Sequence, residues 1–158
     1  ALTVDASDAL LRDIARRVRP DFLPAHGEET PERVAEITEI TGIPVIKAVK
    51  VKGSPDVDRA RAYAGVAAMV LFDASAPDAL ADALPGGNGI AFDWSLLDSS
   101  DGSRQFMLSG GLTCSNIADA IRITGAPAVD VSSGVERAPG VKDAALIRKF
   151  IEAARSAR

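Results

Sequence analysis

The chain has 158 residues, a net charge of −4, 47% hydrophobic and 25% charged residues, one histidine and one cysteine, the size and balance of a single globular domain spanning 1–158. An acidic chain lacks the basic face that nucleic acid requires, no apolar run approaches the ~18 residues of a membrane span, and a lone cysteine excludes an internal disulfide. The expectation is therefore no nucleic-acid partner, no membrane and a cytoplasmic setting; residues 1–11 carry Asp5 and Asp8 and no basic run of the kind that opens a signal peptide.

The first apolar run, residues 2–6, predicts a strand. Leu10, Leu11, Ile14 and Val18 then recur at three- and four-residue spacing, a helical stripe. Residues 21–25 form a second apolar run that ends at His26, the only histidine. Thr30-Pro31 places a hydroxyl cap before a proline and opens a helix with the stripe Val34, Ile37 and Thr41, stopped by Gly42. Residues 44–49 are a third strand; its Lys47 could reach a ligand anion or snorkel along the surface. Ser54-Pro55 repeats the cap-and-proline signal, and residues 68–73 form a fourth strand ending on Asp73. Residues 75–100 are polar and glycine-rich, one long loop with short helices near 78–83 and 93–97; loops of that length are commonly functional or disordered. Residues 105–109 are a fifth strand, which runs into Gly110-Gly111 and a helix capped by Thr113. Residues 128–132 are the sixth, and Asp143 caps a last helix with the stripe Leu146, Ile147, Phe150, Ile151 and Ala154.

Strand and helix alternate throughout, which predicts a parallel sheet with right-handed crossovers. A doubly wound open sheet and a (β/α)8 barrel both fit this spacing. In either, ligands sit at the C-terminal edge of the strands, so the strand ends are the candidate site. Gly110 and Gly111 allow close backbone approach at a helix start, suited to phosphate or to a plain tight turn. Ser132, Ser133 and Gly134, after Asp130, offer consecutive amides as an anion nest. Barrels often hold phosphate between their last two βα loops, so the pairing of the two segments strengthens the phosphate reading. Asp73 is a candidate acid or base, with loop capping as the alternative. His26 reads as a structural hydrogen-bonder or a site residue. One histidine, one distant cysteine and no carboxylate cluster give no basis for a metal, and no organic cofactor is expected.

Several strings taken together resemble one family. They are His26-Gly27-Glu28-Glu29-Thr30-Pro31, Pro44-Val45-Ile46-Lys47-Ala48, Leu71-Phe72-Asp73, and Gly86-Gly87-Asn88-Gly89 followed by Phe92-Asp93-Trp94. Leu108-Ser109-Gly110-Gly111-Leu112-Thr113 with Asn116, Asp130-Val131-Ser132-Ser133-Gly134-Val135-Glu136, and Pro139-Gly140-Val141-Lys142-Asp143 complete the set. In this order, over nearly the whole chain, they resemble phosphoribosylanthranilate isomerase of tryptophan biosynthesis, a (β/α)8 TIM barrel.

The resemblance implies that the visible strands are barrel strands three to eight, with the first two βα units absent and the chain a fragment. It implies an Amadori rearrangement of a phosphorylated ribose–anthranilate substrate without metal or organic cofactor, by a monomer or a homodimer. Asp73 takes the place of the general acid. Gly110, Gly111, Ser132, Ser133 and Gly134 take that of the phosphate cradle, with Asp130 and His26 near the substrate. The family's general base is a cysteine in a KICG-type motif, and an arginine after strand two helps to hold the anthranilate carboxylate. Neither has a counterpart here, so the chain alone is expected to be inactive. Cys114 is not at a position the family uses, and His26 is a formal candidate base. Pro24-Ala25 stands where Gln-Leu is common, and Ser75 where lysine is frequent. The competing readings are a non-catalytic phosphosugar-binding module and another phosphate-binding barrel isomerase or epimerase; the Phe92-Asp93-Trp94 and Val131–Glu136 strings argue against the latter.

Overall fold

The computed structural model describes residues 2–74, 93–97 and 105–157. Most of the expected loop at 75–100 lies outside the described residues, with its short helix near 78–83, Ser75, Gly86-Gly87-Asn88-Gly89 and Phe92.

The chain opens with helix α1 (Asp8–Arg17), capped by the Ser7 hydroxyl, which accepts from the Leu10 amide. Strand β1 (Leu23–Ala25) follows, then α2 (Pro31–Thr41). Thr30 caps α2, accepting from the Arg33 amide, and Gly42 ends it at φ 69°, as the sequence predicts. Strand β2 (Val45–Val51), helix α3 (Ser54–Ala60) with a 3-10 turn at Arg61–Tyr63, and strand β3 (Met69–Ala74) come next. After a 3-10 turn at Trp94–Leu97 come β4 (Phe106–Leu108), α4 (Ile117–Thr124) and β5 (Ala128–Val129). A 3-10 turn at Ser133–Val135 leads into an antiparallel hairpin, β6 (Glu136–Ala138) and β7 (Val141–Lys142), before α5 (Ala144–Ser156), capped by Asp143.

Three expectations are corrected. Residues 2–6 form no strand; Thr3 alone bridges to Ala25 in parallel. Asp5 breaks the extended run at φ 45°, and its Oδ1 turns back to accept from the Glu28 amide at 2.8 Å. The cap of α3 is Gly53 instead of Ser54, because the Asp56 carboxylate accepts from the Lys52 and Gly53 amides at 2.7 and 3.1 Å. Helix α4 starts at Ile117, so Thr113 is not its cap; a turn over Cys114, Ser115 and Asn116 intervenes.

The sheet order is β1-β2-β3-β4-β5, every pair parallel. A doubly wound sheet reverses its order at a switch point. Five parallel strands in chain order, with α-helices following β1, β2, β4 and β5 among the described residues, are instead the winding of a barrel-type α/β fold. The sheet is buried on both faces. On the helix side, Leu11, Leu23, Val34, Ile37 and Val45 form one apolar cluster. Val49, Val51, Phe72, Leu108, Ile117 and Phe150 belong to a second, in which the Phe72 and Phe106 rings meet edge to face at 5.7 Å. On the inner face, Ile46, Ala48 and Leu71 pack with Met69 and Met107. No described helix is long and apolar enough to cross a membrane.

Leu108 is fully buried between β4 and the helices. Leu108→Ala is expected to lower the free energy of unfolding by ~2–5 kcal/mol, measured by urea denaturation; a loss below ~1 kcal/mol would contradict this packing.

Candidate active site

Side chains along a strand alternate between faces. Inner-face residues Leu71 of β3 and Met107 of β4 are followed two places on by Asp73 and Ser109. By the same count, Pro24 leads to His26 and Ala128 to Asp130. Because the strands are parallel and in order, all four positions fall at one edge. They line one cavity of about 150 Å³, together with Leu2, Gly110, Gly111, Leu112, Val131, Ser132, Ser133 and Gly134. Of the site residues expected from the sequence, His26, Asp73, Gly110, Gly111, Asp130, Ser132, Ser133 and Gly134 are thus brought to one place; Lys47 is not.

The polar groups of the cavity differ in exposure. Asp73 is 4% exposed and Ser109 is buried, whereas Asp130 is exposed. The Ser109 hydroxyl donates to Asp130 Oδ2 at 3.1 Å, joining β4 to the end of β5. Burial pushes the His26 imidazole below its ordinary pKa; the negative charge of Asp130 opposes that, and Lys47 adds to it. His26 therefore presents a neutral ring, one nitrogen donating and one accepting, at neutral pH.

Two loops make the concave wall. Gly110 and Gly111 have φ of 83° and 63°, consecutive left-handed residues that a β-carbon would strain. Asn116 pins this loop: its Nδ2 donates to the Gly111 carbonyl at 2.9 Å, and its Oδ1 accepts from the Thr113 amide at 2.8 Å. The second loop, over Ser132, Ser133 and Gly134, lies directly on the first. A β-carbon on Gly134 would overlap the Leu112 carbonyl oxygen. The hairpin returns Lys142 to this loop, where its ammonium donates to the Ser132 carbonyl at 2.9 Å and to Glu136 Oε1 at 2.7 Å. The sequence reading missed this role of Lys142; the Pro139-Gly140 turn between Glu136 and Lys142 was the available signal.

Lys47 does not reach the cavity, nor does it snorkel. It shares the face of Val45 and Val49, so it points toward the helices, is 3% exposed, and pairs with Glu29 at 3.0 Å. Cys114 packs against the apolar cluster of α4 and α5, with Sγ 3.3 Å from the Leu146 carbonyl. Among the described residues no three His, Cys, Asp or Glu side chains gather as a metal would need.

The chain's likenesses agree with this geometry. Residues 1–153 match the family model described as N-(5'phosphoribosyl)anthranilate (PRA) isomerase. The N-(5'-phosphoribosyl)anthranilate isomerase of Mesorhizobium japonicum is 51% identical over 158 residues, all of this chain and 71% of that protein. That of Rhodopseudomonas palustris is 55% identical over 157 residues, 99% of this chain and 71% of the relative. The chain belongs to the PRA isomerase family. It is an isomerase polypeptide, and its fold is that of the family's solved structures. The crystal structure of the Thermotoga maritima family member superimposes with a TM-score of 0.84 at 38% identity, covering 98% of this chain and 71% of that one. A PRA isomerase in complex with reduced 1-(o-carboxyphenylamino)-1-deoxyribulose 5-phosphate superimposes at 0.80 with 36% identity, over 98% of this chain and 70% of that one.

The contact between Gly134 and Leu112 yields a prediction. Gly134→Ala must part the two loops and is expected to cost ~1–3 kcal/mol. Gly53→Ala, whose β-carbon meets nothing nearer than Pro55 Cδ at 3.6 Å, is expected to change stability by less than ~0.5 kcal/mol. Equal effects in thermal denaturation would contradict the close approach.

Proposed function

We propose that the cavity takes the phosphate end of N-(5-phosphoribosyl)anthranilate and that Asp73 is the general acid of its Amadori rearrangement, in tryptophan biosynthesis. The observation that carries this reading is the convergence of Asp73, His26 and Asp130 with the two glycine-containing loops on one cavity. Gly110, Gly111, Ser132, Ser133 and Gly134 present backbone to the phosphate. Protonated Asp73 gives its proton to the ring oxygen of the ribose. The C1–oxygen bond breaks, and the anilino nitrogen lone pair forms a C1=N iminium. A base then removes the C2 proton, and that electron pair makes the C1=C2 bond and neutralises the nitrogen. The enolamine loses its O2 proton and gains one at C1, giving 1-(2-carboxyphenylamino)-1-deoxyribulose 5-phosphate. Atoms and charge balance with no outside oxidant or reductant.

The resemblance assigns the base to a cysteine in a KICG-type motif, and no string of this sequence matches it. The thiol that is present, Cys114, lies away from the cavity. Sites for molecules of this size commonly enclose ~300–1,000 Å³, against about 150 Å³ here. Among the described residues β5 is an edge strand. Beside it runs a groove of about 460 Å³, lined by Val129, Val131, Ile147, Phe150 and Ile151 among others. These features support a site completed by further polypeptide of βα form, and the matched relatives are longer than the match. In this reading the chain's own residues bind the phosphosugar and supply the acid.

The test is isomerase activity of the chain alone, and with a polypeptide supplying two βα units that carry the base cysteine. Turnover only in the second case is expected; full turnover by the chain alone would overturn the assignment of the base. In the active assembly, Asp73→Asn is expected to lower kcat by ~10²–10⁴ and to retain binding of the reduced product analogue. Unchanged kcat would remove Asp73 from the chemistry and favour a phosphosugar-binding role.

A further inference from the structure

The Lys47–Glu29 ion pair lies beneath the cavity, outside the chemistry described so far. Both side chains are almost fully buried, 3% and 2% exposed. As a stabiliser a buried ion pair is weak, since removing two charges from water costs about what their attraction returns. Its hydrogen bonds give it a different use. The Lys47 ammonium donates to the Gly27 carbonyl at 2.6 Å, to Glu29 Oε2 at 3.0 Å and to the Ala25 carbonyl at 3.4 Å. Those three acceptors match its three protons. Glu29 Oε1 accepts from the Gly27 amide at 3.2 Å and from the Asp5 amide at 3.0 Å.

These contacts bracket His26. The peptide between Ala25 and His26 is held by Lys47 at its carbonyl and by the Thr3 carbonyl at its N–H, 2.8 Å away. The peptide between His26 and Gly27 is held at its N–H by Glu29, and the next carbonyl along again by Lys47. With a peptide fixed on each side, the backbone torsions of His26 are fixed, and with them the direction of its Cα–Cβ bond. Gly27 admits no side chain here, because a β-carbon would overlap Asp5. Tyr63 closes the arrangement: its hydroxyl donates to the Glu29 carbonyl at 2.8 Å, and its ring lies 5.9 Å from the Lys47 ammonium.

We propose that Lys47, with Glu29, is a positioning residue for His26: a buried ion pair on the helix side of the sheet sets where the imidazole stands in the cavity on the other side. The proposal rests on the reading of His26 as a residue that meets the substrate. It accounts for a lysine in a strand otherwise apolar on that face. Arginine or glutamine would not replace it, since three protons on one nitrogen must reach two carbonyls and a carboxylate.

His26 is the only histidine, so an NMR spectrum of the imidazole reports one ring without assignment. The charged groups that act on it are Asp130, Lys47, Glu29 and Lys50, with burial the dominant influence. The double variant Lys47→Met/Glu29→Met removes the clamp and leaves no lone buried charge; because the Asp5 and Gly27 amides lose their acceptor, it is expected to fold with a lowered melting temperature. In it the His26 pKa is expected to rise toward 6.5 as the freed turn exposes the ring. Affinity for reduced 1-(o-carboxyphenylamino)-1-deoxyribulose 5-phosphate should fall ~10-fold, the scale of one lost hydrogen bond. The double variant Lys47→Met/Glu29→Gln, which keeps an acceptor for the Gly27 amide and again leaves no lone buried charge, removes the larger lowering influence of Lys47 along with the raising one of Glu29; it is expected to show a smaller change of the same sign and stands in if the first double variant does not fold. A folded variant with an unaltered His26 titration and unaltered affinity would overturn the proposal. If the titration moves while the analogue leaves the wild-type His26 signal undisturbed, the substrate-facing reading of His26 fails, and with it the functional role of the clamp.

Discussion

Five parallel strands paired in chain order put every strand-to-helix turn at one edge of the sheet. The two-residue side-chain period then decides which residue of each strand end looks inward. Everything in the site follows from that pair of constraints. Asp73 continues the inner row of Met69 and Leu71, and Ser109 continues Met107. A slip of one residue in any strand would send its site residue to the helix side. The apolar clusters on both faces oppose such a slip, since it would exchange buried and site-facing positions all along the strand.

On this frame the polar groups divide the work. Those on the inner side, His26, Asp73 and Asp130, line the cavity. Those behind or beside the wall hold the backbone in shape: Asn116 on the Gly110-Gly111 loop, Lys142 on the Ser132 loop, and the Lys47–Glu29 pair on the His26 turn. The three strand-end loops that line the cavity among the described residues thus each have a supporting side chain. That arrangement braces the backbone of the concave surface, as a preorganised site requires.

Much of this was legible in the sequence. Five of the six strands, the caps Thr30 and Asp143, the stop at Gly42 and the residues that meet in the cavity follow from periodicity, local cap chemistry and motif strings. What escaped was set by contacts distant in sequence. Residues 2–6 alternate as a strand does, but Asp5 adopts a positive φ to cap the Glu28 amide, 23 residues away. Lys47, near a strand end, read equally as a ligand contact or a snorkelling lysine; its parity with Val45 and Val49 placed it on the other face, and its partner Glu29 lies in the turn between β1 and α2. The hairpin that carries Lys142 is two short strands with no apolar alternation, so only its turn was visible.

In the proposed function the strand-end loops form one anion site. It is tested most directly by titrating the isotope-labelled chain with inorganic phosphate and following the backbone amides. Gly110, Gly111, Ser132, Ser133 and Gly134 are expected to shift together along one binding curve, with the Cys114 turn and the groove beside α5 unmoved. Separate curves for the two loops, or shifts confined to exposed lysines, would contradict it.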